Sequence, residues 1–187
     1  MTTWQISTTA GDPARVATVL PGSGYTAQGP LLWYAAKTLR AAGWTVRTFA
    51  WDELSPDWGE ARRTYGEAIQ DASVPDGGRH LVVAKSLGSF ALPVAVDLGL
   101  PGVWLTPVLT GHASEPVRAA IAAGRAPALL AGGTADPLWD GGVVTAPDTE
   151  VLEVDGVDHS LEVGDWRRSH EILARVTGAV ERFAAQL

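Results

Sequence analysis

The sequence predicts an α/β fold in which a mostly parallel sheet of about six to seven strands is covered by helices on both faces. Short apolar runs of strand length alternate along the chain with longer segments whose apolar residues recur with helical period. Strands separated by helices of about ten or more residues are joined by crossover connections, which makes neighbouring strands parallel. The length of 187 residues, 46 % of them apolar, fits a single domain covering residues 1–187.

The first half of the chain alternates between strand and helix. Leu32, Ala35 and Leu39 recur at helical spacing, and Gly43 follows where a glycine commonly ends a helix. The segment 44–51 alternates between apolar and polar residues as a half-buried strand does. The elements predicted for this half are strands over 16–20, 44–51 and 80–84, and helices over 29–42 and through Trp58, Tyr65 and Ile69.

The second half continues the alternation, beginning with a helix predicted to start near Leu87. Ser114 is a suitable N-cap for a helix that runs to Ala123, and Gly124 follows its end. The remaining predicted elements are strands over 102–106, 127–131 and 150–154 and a last helix with the apolar stripe Ile172, Leu173, Val176, Val180 and Phe183.

Composition and charge exclude several functional classes. A net charge of −7 offers no general counter-charge to phosphates, which argues against nucleic acid or an anionic membrane as a partner. The absence of cysteine excludes a disulfide framework, thiol catalysis and thiolate metal sites, and the four histidines lack metal-binding spacing. We therefore expect a small-molecule substrate and no metal or other cofactor. Residues 1–9 lack the pattern of a secretory signal, and prolines interrupt the apolar stretch 91–109, so we expect a cytoplasmic protein.

Chemistry is expected at the carboxyl ends of the strands, where parallel sheets bind their ligands. Ser86 directly follows the strand 80–84, between the small residues Ala84 and Gly88. A nucleophile elbow needs this pattern because bulky side chains two residues before or after the serine would clash in the tight strand-to-helix turn. The alternative is a serine that caps a helix at an ordinary turn. Lys85 is expected to point away from the serine and is assigned no catalytic role.

A nucleophilic serine needs a base and a carboxylate that orients it. His159 follows the strand 150–154, and Asp136 follows the strand 127–131, so both belong to the same edge as the serine. Asp140 and Asp158 are competing candidates for the carboxylate. The other histidines have positions typical of solvated or capping residues: His80, His112 and His170.

The order Ser86, Asp136, His159, each after a separate strand, is that of the α/β-hydrolases. The chain resembles the small single-domain α/β-hydrolases of the dienelactone-hydrolase-like kind. The matching motifs are Leu20-Pro-Gly-Ser-Gly24, Val83-Ala-Lys-Ser-Leu-Gly88, Gly133-Thr-Ala-Asp-Pro137 and Gly156-Val-Asp-His-Ser160. The resemblance implies a serine hydrolase that cleaves a small carboxylic ester, or a thioester, through an acyl-enzyme intermediate.

The resemblance also implies an oxyanion hole. Its donors would be the backbone N–H of Leu87 and one in the 21–25 loop, where Ser23 is the best match and Gly24 the next. Tyr25 and Trp139, with Gly24, are candidates for the substrate pocket. Two departures from the family pattern affect these loops: Ala84 replaces the first glycine around the nucleophile, and Pro21 stands where many relatives carry histidine.

The predicted site has no lid. The connection 107–126 has 20 residues, 126 − 107 + 1, and the predicted helix 114–123 occupies most of it. Two alternatives to an esterase stay open: an amidase or peptidase with the same residues, and a non-catalytic binding or scaffolding protein that keeps the fold.

Overall fold

A computed structural model describes residues 4–51, 57–144 and 146–187. Its seven strands form one sheet in the order β1-β3-β2-β4-β5-β6-β7, in which β1 is antiparallel to β3 and the other neighbours are parallel. The strands are β1 (Trp4–Thr9), β2 (Asp12–Leu20), β3 (Trp44–Trp51), β4 (Arg79–Lys85), β5 (Gly102–Leu105), β6 (Ala128–Gly133) and β7 (Thr149–Val154). The helices are α1 (Pro30–Ala41), α2 (Trp58–Gln70), α3 (Leu92–Asp97), α4 (Glu115–Ala123) and α5 (Trp166–Ala185).

Separate apolar clusters cover the two faces of the sheet. On one face, α1 and α5 pack over Ala17 and Val19 of β2. On the other face, α2, α3 and α4 cover Leu20 of the same strand. Because helices bury both faces, ligands can reach the parallel strands only at the sheet edges, and the loops that follow β2, β4, β6 and β7 meet at the carboxyl edge.

The predicted α/β fold is confirmed, and the differences are local. The antiparallel edge strand β1 was not predicted. It pairs with β3 in register from Trp4 opposite Trp51 to Thr9 opposite Val46. A second difference lies after Ser86, where the chain forms a 3₁₀ turn over Ser86–Ala91 before α3 begins. A third is Ser114, whose hydroxyl donates back to the Gly111 carbonyl at 2.7 Å and does not cap α4.

No lid is inserted in the segment between β5 and β6, all of which the structure describes. This segment contains a short 3₁₀ turn, His112–Ser114, and then α4. The side chains of Val117 and Ile121 on α4 belong to the apolar cluster on the sheet, so the helix covers the core and leaves the carboxyl edge open. Among the described helices, none is both long and apolar enough to cross a bilayer.

His80 is buried near the start of β4, where the sequence suggested a solvated or capping histidine. Its Nε2 lies 2.8 Å from Oγ1 of Thr18 on the neighbouring strand. Burial, and then the positive charge of Arg47, lower the pKa of His80 to about 4. The prediction failed because a polar residue at the start of a strand was interpreted as exposed, whereas the neighbouring strand β2 shields His80 from solvent.

We expect His80 to destabilise the fold in acid. The pKa of the His80 imidazole is near the ordinary 6.5 in the unfolded chain and about 4 in the folded chain. Between these pH values the unfolded chain binds a proton that the folded chain does not bind. The free energy of unfolding should therefore fall by on the order of 3 kcal/mol between about pH 7 and about pH 4. Denaturant titrations of the wild type and His80→Gln would measure it. If the free energy of unfolding falls equally in both proteins, His80 is not its cause, because the carboxylates common to both proteins then account for the whole fall.

Candidate active site

Ser86 lies at a strained turn between β4 and the 3₁₀ turn that follows it. Its φ of +51° is in the left-handed region that side chains rarely adopt. A Cβ at Gly88 would lie 2.9 Å from the Leu20 carbonyl oxygen and 3.2 Å from Cβ of Ala84. The turn therefore needs the small residues on which the elbow prediction was based, and a serine that only caps a helix would not need this backbone conformation.

His159 lies over Ser86 in the loop that follows β7. Its Nε2 is 2.7 Å from Oγ of Ser86, and its Nδ1 is 2.7 Å from Oδ2 of Asp136. The Asp136 carboxylate is inaccessible to solvent, whereas 31 % of the His159 side chain is exposed. The structure thus brings the three residues selected from the sequence into one hydrogen-bonded chain, with the serine and the imidazole open to a substrate and the carboxylate enclosed.

Asp136 is held in place by the turn that follows β6. Its Oδ1 accepts a hydrogen bond from the Leu138 N–H at 2.9 Å, which leaves Oδ2 for the imidazole. The competing carboxylates have other partners. Asp158 accepts from the backbone N–H groups of Ser160 and Glu162, and Asp140 accepts from that of Gly142. Both stabilise local turns and neither contacts Nδ1 of His159.

The 21–25 loop lies directly against the nucleophile turn. A Cβ at Gly22 would lie 3.0 Å from both Cβ of Ser86 and the Lys85 carbonyl oxygen, so this close approach requires glycine. The hydroxyl of Tyr65 donates to the Pro21 carbonyl at 2.6 Å, and Gly22 and Tyr25 form an isolated antiparallel β-bridge. The loop is therefore fixed beside Ser86, the place expected of the second oxyanion donor.

Two open cavities lie at loops of the candidate site, and neither is lined by Ser86, Asp136 or His159. One of about 320 Å³ is lined by the 21–26 loop, including Ser23, Gly24 and Tyr25, and by the end of β3. The other, of about 340 Å³, lies between the segment 160–164 after His159, the start of α1 and the first turns of α5. Tyr25 lines both cavities, so the predicted pocket residues Gly24 and Tyr25 do lie at open space.

Trp139, the third pocket candidate, lies elsewhere. It is 8 % exposed and belongs to the apolar cluster under α2, α3 and α4. Its indole N–H donates to Glu153 Oε2 at 2.7 Å, and its ring lies against Gly132, where no side chain would fit. The structure therefore makes Trp139 a core side chain, because its indole has a buried face to fill and a partner for its polar atom.

Lys85 was expected to point away from Ser86 and was given no role, but the structure buries its side chain against the loop that carries His159. Lys85 is only 2 % exposed, and its Nζ donates to the His159 carbonyl at 3.2 Å. Burial lowers the pKa of this amine to about 8, although the carboxylates of Asp136 and Asp158 act in the opposite direction. The signal in the sequence was a lysine that directly follows the apolar run 81–84 of a strand whose residues are buried on both faces of the sheet.

Solved structures of α/β hydrolases superimpose on nearly the whole chain. An α/β serine hydrolase homologue from Coxiella burnetii matches with a TM-score of 0.68 at 13 % identity, covering 96 % of this chain and 90 % of its own. A lidless α/β serine hydrolase from Xanthomonas campestris matches with a TM-score of 0.67 at 17 % identity, covering 98 % and 88 %. Est1E from Butyrivibrio proteoclasticus with bound ferulic acid matches with a TM-score of 0.70 at 12 % identity, covering 98 % and 94 %.

These similarities define the class of fold: the chain has the α/β-hydrolase fold without a lid. No protein-family model matches the sequence, and comparison with curated proteins gives no significant match. The dienelactone-hydrolase-like kind suggested by the motifs stays a prediction.

Proposed function

We propose that the protein is a serine hydrolase that cleaves small carboxylic esters, or thioesters, through an acyl-enzyme intermediate. The observation that carries this proposal is the pair of 2.7 Å hydrogen bonds linking Asp136, His159 and Ser86. The positive φ of Ser86 supports it, since such strain is found where a nucleophile must be presented above a sheet. The similarity in fold to solved serine hydrolases agrees with the proposal.

In the proposed reaction, Oγ of Ser86 attacks the ester carbonyl carbon while Nε2 of His159 accepts its proton. The imidazolium gives that proton to the departing alcohol oxygen, and the acyl group remains on Oγ. A water molecule, deprotonated by the same nitrogen, then attacks the acyl carbon. The bond between the acyl carbon and Oγ breaks, the imidazolium gives its proton back to Oγ of Ser86, and the carboxylic acid leaves. Asp136 keeps the proton of the neutral imidazole on Nδ1, which leaves Nε2 free to act as the base.

The charge that develops on the carbonyl oxygen needs donors already in position. The N–H of Leu87 is one proposed donor, because the first N–H groups of a helical turn have no acceptor within that turn. The second comes from the 21–25 loop, with Ser23 as the best match and Gly24 the next. The contact of Gly22 with the nucleophile turn supports this pairing, since it holds the loop within reach of the same oxygen.

The proposed substrate is compact. The 21–26 loop beside Ser86 lines an open cavity of about 320 Å³, which is at the small end of the range for ligand pockets. A site without a lid supplies little remote binding energy to a long acyl chain. The small ester is therefore favoured over a lipid.

A series of p-nitrophenyl esters from acetate to palmitate tests this function. We expect kcat/KM to be highest for short acyl chains and to show no increase above the solubility limit of the ester. Ser86→Ala protein, assayed in parallel, measures background hydrolysis. No hydrolysis above that background would reject the function. A maximum at long chains, or a jump in rate above the solubility limit, would reject the lidless, compact site.

A further inference from the structure

The amine of Lys85 lies where three of the four loops of the candidate site meet: the nucleophile turn, the His159 loop and the Tyr25 loop. Lys85 is the residue before the nucleophile, and its Nζ donates to the backbone carbonyl of His159. The same Nζ lies 4.5 Å from the centre of the Tyr25 ring, in the loop expected to supply the second oxyanion donor. The Tyr25 hydroxyl in turn accepts the N–H of Leu31 at 3.0 Å, which fixes the ring to the first turn of α1.

We propose that Lys85 is a positioning residue, whose ammonium group fixes the His159 loop and the Tyr25 loop relative to the nucleophile turn. This inference rests on the proposed function, and Lys85 itself does not touch the substrate. It acts through the His159 carbonyl, because a shift of that backbone would move Nε2 away from Oγ of Ser86.

The choice of residue is difficult to explain by stability alone. Burying an ammonium group removes its hydration, and an apolar side chain of similar size commonly fills such a position at lower cost. Among the described residues, the direct contacts of the ammonium group are one carbonyl oxygen and one aromatic face, and the carboxylates of Asp136 and Asp158 act on it through their charge, so the lost hydration is replaced only in part. A lysine at this position is better explained by its contacts with both the His159 loop and the Tyr25 loop. The sequence contains only one other lysine, Lys37, which is exposed on α1.

The charge of Lys85 is expected to change within the working range of the enzyme. The carboxylates of Asp136 and Asp158 favour the ammonium form, but burial outweighs them and lowers the pKa to about 8. The Tyr25 hydroxyl does not titrate in this range. Burial raises its pKa above the ordinary 10.0, the hydrogen bond from the Leu31 N–H acts against this rise, and the charge of Glu162 adds to it. Below pH 8 the amine is therefore charged and attracted to the ring, and above pH 8 this attraction is lost. His159 contributes its backbone carbonyl to the contact.

Lys85→Met tests the proposal, with Lys37→Met as the matched control. We expect kcat/KM of K85M on a short ester to fall roughly tenfold to a hundredfold, mainly in kcat, since small displacements of a catalytic group have effects of this size. The wild type and K37M should lose activity above about pH 8, and K85M should not show that loss. The proposal is overturned if K85M keeps the wild-type rate, or is slower but keeps the same alkaline decline.

A second variant restores the amine chemically. The chain has no cysteine, so the thiol introduced by K85C is the only site for alkylation with 2-bromoethylamine, which produces a lysine analogue. Alkylation in denaturant followed by refolding, with wild-type protein taken through the same steps, should recover most of the lost activity. The alkaline decline should move to lower pH, because the thioether sulfur lowers the pKa of the amine. Refolded, alkylated protein that stays as slow as unmodified K85C overturns the proposal.

Different experimental results would reject the proposed function and the proposed role of Lys85. Wild-type protein that neither hydrolyses esters nor reacts with a fluorophosphonate at Ser86 rejects the proposed function. Wild-type protein that does both, while K85M behaves like K37M, rejects only the role of Lys85.

Discussion

Ser86→Ala is expected to reduce kcat/KM for ester hydrolysis by roughly 10⁴-fold or more, because the substitution removes the atom that bonds to the substrate in the proposed mechanism. The fold should be unaffected. Alanine keeps the Cβ that already occupies the left-handed backbone at this position, and among the described residues the lost hydroxyl, which is partly exposed, is hydrogen-bonded to His159. Steady-state kinetics on a short ester, with the midpoint of thermal unfolding as a check on the fold, measure both expectations.

Ser7→Ala is the matched control for Ser86→Ala. Ser7 is exposed on the edge strand β1, outside the candidate site. We expect this variant to stay close to the wild type. Hydrolysis by Ser86→Ala at a near wild-type rate, in protein free of contaminating esterase, would show that another residue is the nucleophile. A Ser86→Ala, His159→Ala double variant much slower than either single variant would also contradict the account, since residues that act as a unit lose their effect together.

Asp136→Asn is expected to lower kcat by on the order of 10⁴, the size of effect seen when a triad carboxylate becomes an amide. The reason lies in the two oxygens of Asp136. Oδ1 accepts the Leu138 N–H, so the amide oxygen of asparagine takes that place and its NH₂ group faces Nδ1 of His159. Nδ1 must then act as an acceptor, which moves the imidazole proton to Nε2 and prevents this nitrogen from taking the serine proton.

Asp158→Asn and Asp140→Asn are the controls for this variant. In the described part of the chain, both side chains accept hydrogen bonds from backbone N–H groups of their own turns, and an amide oxygen can accept the same bonds. We expect each control to change kcat by less than about tenfold. If either is more damaging than Asp136→Asn, the carboxylate has been misassigned.

The sequence predicted the parts of the site that depend on chain order and strand ends. Ser86, Asp136 and His159 each follow a parallel strand, and parallel strands bring their carboxyl ends to one edge, so their meeting follows from topology. The selection of Asp136 over two nearby carboxylates also agreed with the structure, since both competitors bind their own turns.

Predictions failed where the outcome depended on the direction of a side chain. His80 was expected to be solvated or to cap an element, Trp139 was expected to line the pocket, and Lys85 was expected to point away from Ser86; all three side chains are buried. In the folded chain each is buried because a partner distant in sequence satisfies its polar atom: Thr18 for His80, Glu153 for Trp139 and the His159 carbonyl for Lys85. Periodicity contains no information about such partners.

Labelling with a fluorophosphonate probe tests the central claim most directly, because the probe reacts with a serine only where a base activates it. We expect one probe per folded wild-type chain, located on Ser86 by peptide mass spectrometry, and no label on Ser86→Ala or on unfolded protein. Folded wild-type protein that remains unlabelled, or that carries the probe on another residue, would contradict the account and favour a binding or scaffolding protein built on a hydrolase fold.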